Sequence, residues 1–193
     1  MRDAADDSTV MAAPLIDSTG WLAAARHIRS PNCDQRPAAG VIDLVVVHSI
    51  SLPPGEFAGD AIERLFTNQL DGDEHPYFGA IAALKVSAHC LIRRDGRLLQ
   101  FVSFDARAWH AGVSRWQGRM RCNDFSIGIE LEGTDIDAFE PAQYRVLSAV
   151  LRALRARYPI SAIVGHSDIA PDRKTDPGSG FDWAVLRPDL IQV

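Results

Sequence analysis

Val41-Ile42-Asp43-Leu44-Val45-Val46-Val47-His48 is the stretch that decides the fold. Apart from Asp43, every residue up to the terminal histidine is apolar, and most are β-branched. A strand this continuously apolar is buried on both faces, so it belongs in the middle of a sheet with helices around it. Ser51-Leu52-Pro53-Pro54-Gly55 stops it just beyond His48.

Two further segments repeat the pattern. Phe125–Leu131 reads as a strand that ends in acids, Glu130 and Glu132. Ile160–Val164 is a short strand that runs into Gly165-His166. Pro141 opens a helix to about Arg157, with Val146, Leu147, Val150, Leu151 and Leu154 on one face. Ala61–Leu70 has helical spacing, and short helices are expected at Trp21–Ile28 and Phe181–Leu186. Asp95-Gly96 between residues 88–93 and 97–102 predicts a hairpin. Arg29–Gly40, Asp71–Pro76 and Ile169–Gly180 read as loops. Phe104–Asp124 is long and irregular, and its tryptophans, Trp109 and Trp116, favour a binding loop over disorder.

The 193 residues suffice for one domain, expected over 18–193 after a polar lead-in of residues 1–17. With 47% hydrophobic residues the chain is not disordered as a whole. A net charge of -5 argues against nucleic acid as a partner, although arginines gather at Arg115, Arg119, Arg121 and at Arg152, Arg155, Arg157. The three cysteines, Cys33, Cys90 and Cys122, form no C-x-x-C pair, so neither a disulfide framework nor a cysteine zinc site is expected. The acidic N-terminus lacks an apolar core of the signal-peptide kind, and no stretch is long enough to span a membrane. The expected location is the cytoplasm, and no protein partner is inferred.

His48, Glu130 and His166 share one position type, the C-terminal end of a strand, where open α/β sheets bind ligands. A lone histidine there is more often structural. Two in equivalent places, with an acid from a third strand, reverse that reading. Two imidazoles and a carboxylate, with a fourth position left to water, make a catalytic zinc set. Spacing leaves Asp168, Asp172 and Asp176 open as the carboxylate; Asp176, followed by Pro177-Gly178, sits in the more rigid turn.

His48-Ser-Ile-Ser-Leu-Pro-Pro-Gly-Glu-Phe, His75-Pro-Tyr-Phe, Val86-Ser-Ala-His, Arg107-Ala-Trp-His-Ala-Gly, Arg121-Cys-Asn-Asp-Phe-Ser-Ile-Gly-Ile-Glu-Leu-Glu-Gly-Thr and Gly165-His-Ser-Asp-Ile-Ala-Pro-Asp-Arg-Lys-Thr-Asp-Pro-Gly resemble the AmpD family. The resemblance runs from about Trp21 to Pro188. It implies a cytoplasmic 1,6-anhydro-N-acetylmuramoyl-L-alanine amidase of peptidoglycan recycling, with an α/β fold built on a central mixed β-sheet flanked by helices. It implies one Zn²⁺ per chain on His48, His166 and Asp176, Glu130 as the catalytic glutamate and Lys174 as the lysine that supports the transition state. Ser49 departs from the asparagine common in relatives, which bears on substrate preference and leaves the metal set intact.

An amide is a poor electrophile and water a poor nucleophile, and zinc chemistry addresses both. Glu130 is the expected general base and Lys174 the expected oxyanion partner. Glu132 points to the same face as Glu130, and geometry alone does not choose between them. Lys85 and Arg121 are candidate partners for substrate carboxylates, Trp109 and Ser49 candidate contacts to the muropeptide. His89 and His110 are read as non-catalytic, with His110 a candidate substrate contact beside Trp109. Two rival readings are an amidase acting on intact peptidoglycan and a muropeptide-binding module without catalysis.

Overall fold

The apolar run enters the sheet as β3 (Leu44–Ile50), and every residue of it up to His48 is buried. In the computed structural model, which describes residues 15–38 and 40–186, β3 lies between two parallel neighbours. These are β9 (Ser126–Glu132) and β10 (Ala162–Gly165). The sheet continues beyond β9 through β4 (Cys90–Ile92), β5 (Leu98–Gln100) and β1 (Arg26–His27), giving the order β1-β5-β4-β9-β3-β10. Only the β4–β5 hairpin is antiparallel, so the sheet is mixed.

Side chains alternate across this sheet, as strand geometry requires. Val45, Val47, Ile127, Ile129 and Ile163 face α3 (Pro141–Arg157), where Leu147, Val150, Leu151 and Leu154 complete one core. Leu91 and Leu99 face the other way, against α1 (Ala61–Phe66) and α2 (Pro76–Ile81). Leu44, Val46 and Val164 do the same, against Phe125 and the single turn α4 (His166–Ile169). The described residues form one α/β domain, and none of their helices is long and apolar enough to cross a membrane.

Several expected elements are corrected. Trp21–Ile28 is not a helix. The Leu22 N–H donates to the Gln100 side chain, and Arg26–His27 pair with Leu99–Gln100, so the sheet edge takes the backbone groups a helix needs. Arg29–Gly40 contains β2 (Cys33–Gln35), which pairs with β6 (Ala106–Ala108). Helix α1 stops at Phe66, and Asn68 turns to a φ of 61°, so Leu70 is core but not helical. Helix α2 was not expected: His75, an unusual N-cap, accepts the Tyr77 N–H at Nδ1 ahead of Pro76. Phe104–Asp124 is not structureless but folds into β6, the hairpin β7 (Arg115–Trp116) and β8 (Arg119–Met120), and a 3₁₀ turn at Cys122–Asp124. Phe181–Leu186 contains only a 3₁₀ turn at Trp183–Val185. Of the lead-in, residues 1–14 lie outside the described residues, while Ile16 bridges to Leu22.

Candidate metal centre and active site

The parallel alignment of β9, β3 and β10 brings three strand ends to one edge. His48 is the register partner of Glu130 across β3 and β9, and both leave the face opposite α3. On the other side of β3, Gly165 pairs with Val47, so His166 follows at the same level. The loop after α4 returns Asp176 to this edge, where the Ser167 N–H donates to the Asp176 carbonyl at 3.0 Å. Gly178, at a φ of 77°, packs so closely on Asp135 that a Cβ would overlap its backbone.

Three ligand atoms converge there. His48 Nδ1, His166 Nδ1 and Asp176 Oδ2 lie 3.0 Å from one another on every side of the triangle. At bonds of about 2.0 Å, tetrahedral zinc ligands stand about 3.3 Å apart, so the set needs little adjustment to take the ion. Burial pushes the His48 imidazole down to about 4, so it is neutral at physiological pH, as a ligand must be. Imidazole nitrogens and a carboxylate oxygen are the donor types a zinc ion takes. Among the described residues these three are the cluster able to hold a metal ion; Asp168 instead accepts the Gly165 N–H at 2.7 Å.

A cavity of about 470 Å³ opens over the triangle. Glu130, Lys174, Ser49 and Trp109 line it together with the three converging residues, and Leu52, Tyr77, Ile81 and Leu84 supply an apolar wall. Glu130 is buried, and its Oε2 has no hydrogen-bond partner. Burial drives its carboxyl well above the ordinary glutamate range; the Asp176 charge adds to this and the Lys174 charge opposes it. Glu132 is different, because Arg93 Nη1 holds its Oε1 at 2.6 Å.

Ser49 donates to Asp135 Oδ1 at 2.9 Å, and Thr175 Oγ1 donates to Asp135 Oδ2. Asp135 thus ties the residue after His48 to the residue before Asp176. No local pattern marks Asp135, since its partners lie 86 and 40 residues away. Trp116 lies apart from this cavity, lining a separate groove with Met120 and Ile169. Lys85 and Arg121 are exposed and absent from the cavity lining; Arg121 pairs with Asp124 at 3.3 Å. Arg36, also unanticipated, clamps the 104–124 segment to β9 by donating to the carbonyls of Phe104, Asn123 and Ser126.

The chain is similar to known amidases. Residues 37–179 match the N-acetylmuramoyl-L-alanine amidase family model. The chain is 62% identical over 170 residues to 1,6-anhydro-N-acetylmuramyl-L-alanine amidase AmpD of Citrobacter freundii, covering 87% of this chain and 91% of that one. Its structure is similar to a crystal structure of an AmpD selenomethionine derivative, with a TM-score of 0.88 at 60% identity over 92% of this chain and 99% of the other. It is also similar to the Escherichia coli amidase AmiD in complex with anhydro-N-acetylmuramic acid-L-Ala-D-γ-Glu-L-Lys, with a TM-score of 0.59 at 31% identity over 82% of this chain and 62% of that one.

Proposed function

The chain belongs to the N-acetylmuramoyl-L-alanine amidase family and is an amidase, and we propose that it cuts the amide between 1,6-anhydro-N-acetylmuramic acid and the L-alanine of a soluble muropeptide in peptidoglycan recycling. We place this reaction in the cytoplasm. His48, His166 and Asp176 hold one zinc ion in this reading. When bound, zinc supplies a Lewis acid that polarises the scissile carbonyl and makes water a competent nucleophile near neutral pH.

The carrying observation is the buried Glu130 Oε2, without a partner, in the same cavity as the ligand triangle. A carboxylate with a free oxygen accepts the proton of the attacking water. Its raised affinity for that proton suits it to pass the proton on to the departing alanine nitrogen. Lys174 contributes positive charge to the same cavity, where negative charge develops on the carbonyl oxygen. Trp109 offers a flat face to the sugar, and the apolar wall excludes water from the reacting amide. Ser49 supports the loop through Asp135 while facing substrate. Lys85 and Arg121 are proposed to meet peptide carboxylates that extend past the cavity.

The test pairs metal with substrate. Purified protein is expected to carry about one zinc per chain, and chelation is expected to abolish turnover that added zinc restores. Soluble anhydromuropeptide is expected to be cut much faster than insoluble sacculi. Faster cutting of sacculi would overturn the recycling assignment, and full activity after complete metal removal would overturn the zinc assignment.

A further inference from the structure

The two histidines of the triangle are held from behind by one dipeptide, His110-Ala111. His166 Nε2 lies 3.2 Å from the Ala111 carbonyl. A carbonyl only accepts, so Nε2 is the nitrogen that keeps its proton when His166 serves as a ligand, which leaves the Nδ1 lone pair for the triangle. On the His48 side a longer chain leads to the same result. His48 Nε2 lies 3.0 Å from His110 Nδ1, and His110 Nε2 lies 3.2 Å from Ser126 Oγ. The Ser126 hydroxyl donates to the Cys122 carbonyl at 2.6 Å, so its oxygen is left to accept from His110 Nε2. His110 Nδ1 is then an acceptor, His48 Nε2 its donor, and His48 Nδ1 presents a lone pair to the triangle. The Cys122 and Ala111 carbonyls thus assign both tautomers.

The dipeptide is itself fixed. The backbone N–H groups of His110 and Ala111 both donate to Asn123 Oδ1, at 3.1 and 2.8 Å. The His110 ring lies on Gly128, where any Cβ would overlap it. It meets the His48 ring edge to face, with centroids 5.1 Å apart. His110 also borders the cavity, but both its ring nitrogens are committed, one to His48 and one to Ser126.

We propose that His110, seated on Gly128 and pinned through Asn123, is a positioning residue that holds His48 in the tautomer and orientation needed to bind the metal, rather than a substrate contact. The proposal rests on His48, His166 and Asp176 being the zinc ligands. Partners that orient a ligating histidine typically govern 10–100-fold of metal affinity.

The test measures zinc affinity of the full chain by competition with a chromogenic chelator. His110→Phe keeps the ring volume, loses the acceptor, and is expected to weaken zinc binding about 10–100-fold. His110→Gln restores an acceptor oxygen and is expected to recover most of that loss. A folded His110→Phe protein with wild-type zinc affinity would overturn the proposal, as would equal weakening in both variants. His48→Ala is the control for the underlying reading: it is expected to lose tight binding, and wild-type affinity there would overturn the ligand assignment itself. Imidazole ¹⁵N spectra of the metal-free wild type give a readout independent of any variant. A His48 ring protonated at Nε2 supports the proposal, and one protonated at Nδ1 contradicts it.

Discussion

Glu130 and Glu132 leave the same face of the same strand two residues apart, and the protein treats them in opposite ways. Glu132 is saturated. Arg93 and the Ala58 N–H donate to one oxygen at 2.6 and 2.8 Å, and the Arg94 N–H donates to the other at 3.2 Å. Arg93 also pairs with Glu63 and donates to the Gly59 carbonyl at 2.7 Å. Glu130, one register step deeper, keeps an oxygen without any partner. Donors fix Glu132 in place, whereas Glu130, buried and with an oxygen unpartnered, binds a proton readily. The first arrangement anchors a loop to the sheet. The second suits proton transfer, and it costs stability whenever the group is charged.

The largest break in this contrast comes from Arg93→Met. It strands Glu63 and Glu132 without their shared cation and is expected to cost about 3–5 kcal/mol in urea unfolding. Turnover per folded molecule is expected to stay within a few-fold of wild type; a catalytic collapse in well-folded protein would erase the distinction between the two carboxylates. Glu132→Gln removes only the charge from that network. The expected loss is about 1.5–3 kcal/mol, with kcat unchanged.

Glu130→Gln is expected to act in the opposite direction on the metal-free protein. The Glu130 carboxyl is raised in the folded state, so above that raised value folding must bury a charge the unfolded chain leaves in water. The neutral amide avoids this cost. Its melting temperature at pH 7 is therefore expected to exceed that of the wild type, with the gain fading as pH falls toward the ordinary glutamate range near about 4. Equal melting temperatures at every pH would contradict the buried-charge reading. The smallest effect is assigned to Ser49→Ala, which loses one hydrogen bond to Asp135 and is expected to cost about 0.5–1.5 kcal/mol with the metal retained.

The sequence made the strand ends legible because the chemistry follows directly on apolar runs. Val41–Val47 delivers His48, Phe125–Leu131 carries Glu130, and Ile160–Val164 leads to His166. Burial of those runs fixes the sheet, and the sheet fixes the edge. Helix α3 was legible for the same reason, a clear apolar stripe closed by a proline start. The rest depends on partners far away in the chain. Arg26–His27 become strand only because Leu99–Gln100 are there to pair with. Glu132 differs from Glu130 because Arg93 follows Ile92, the register partner of Leu131. His110 reads as a residue beside Trp109 until folding sets it behind His48. No periodicity or local motif encodes such long-range meetings.

In the proposed mechanism one carboxylate, with an oxygen left unpartnered beside the ligand triangle, moves the proton in amide hydrolysis. The most direct test measures metal content and turnover together on Glu130→Gln. The variant is expected to hold about one zinc per chain, as in the wild type, with kcat on soluble anhydromuropeptide reduced about 10²–10⁴-fold. A variant that keeps its zinc and turns over at the wild-type rate would contradict it.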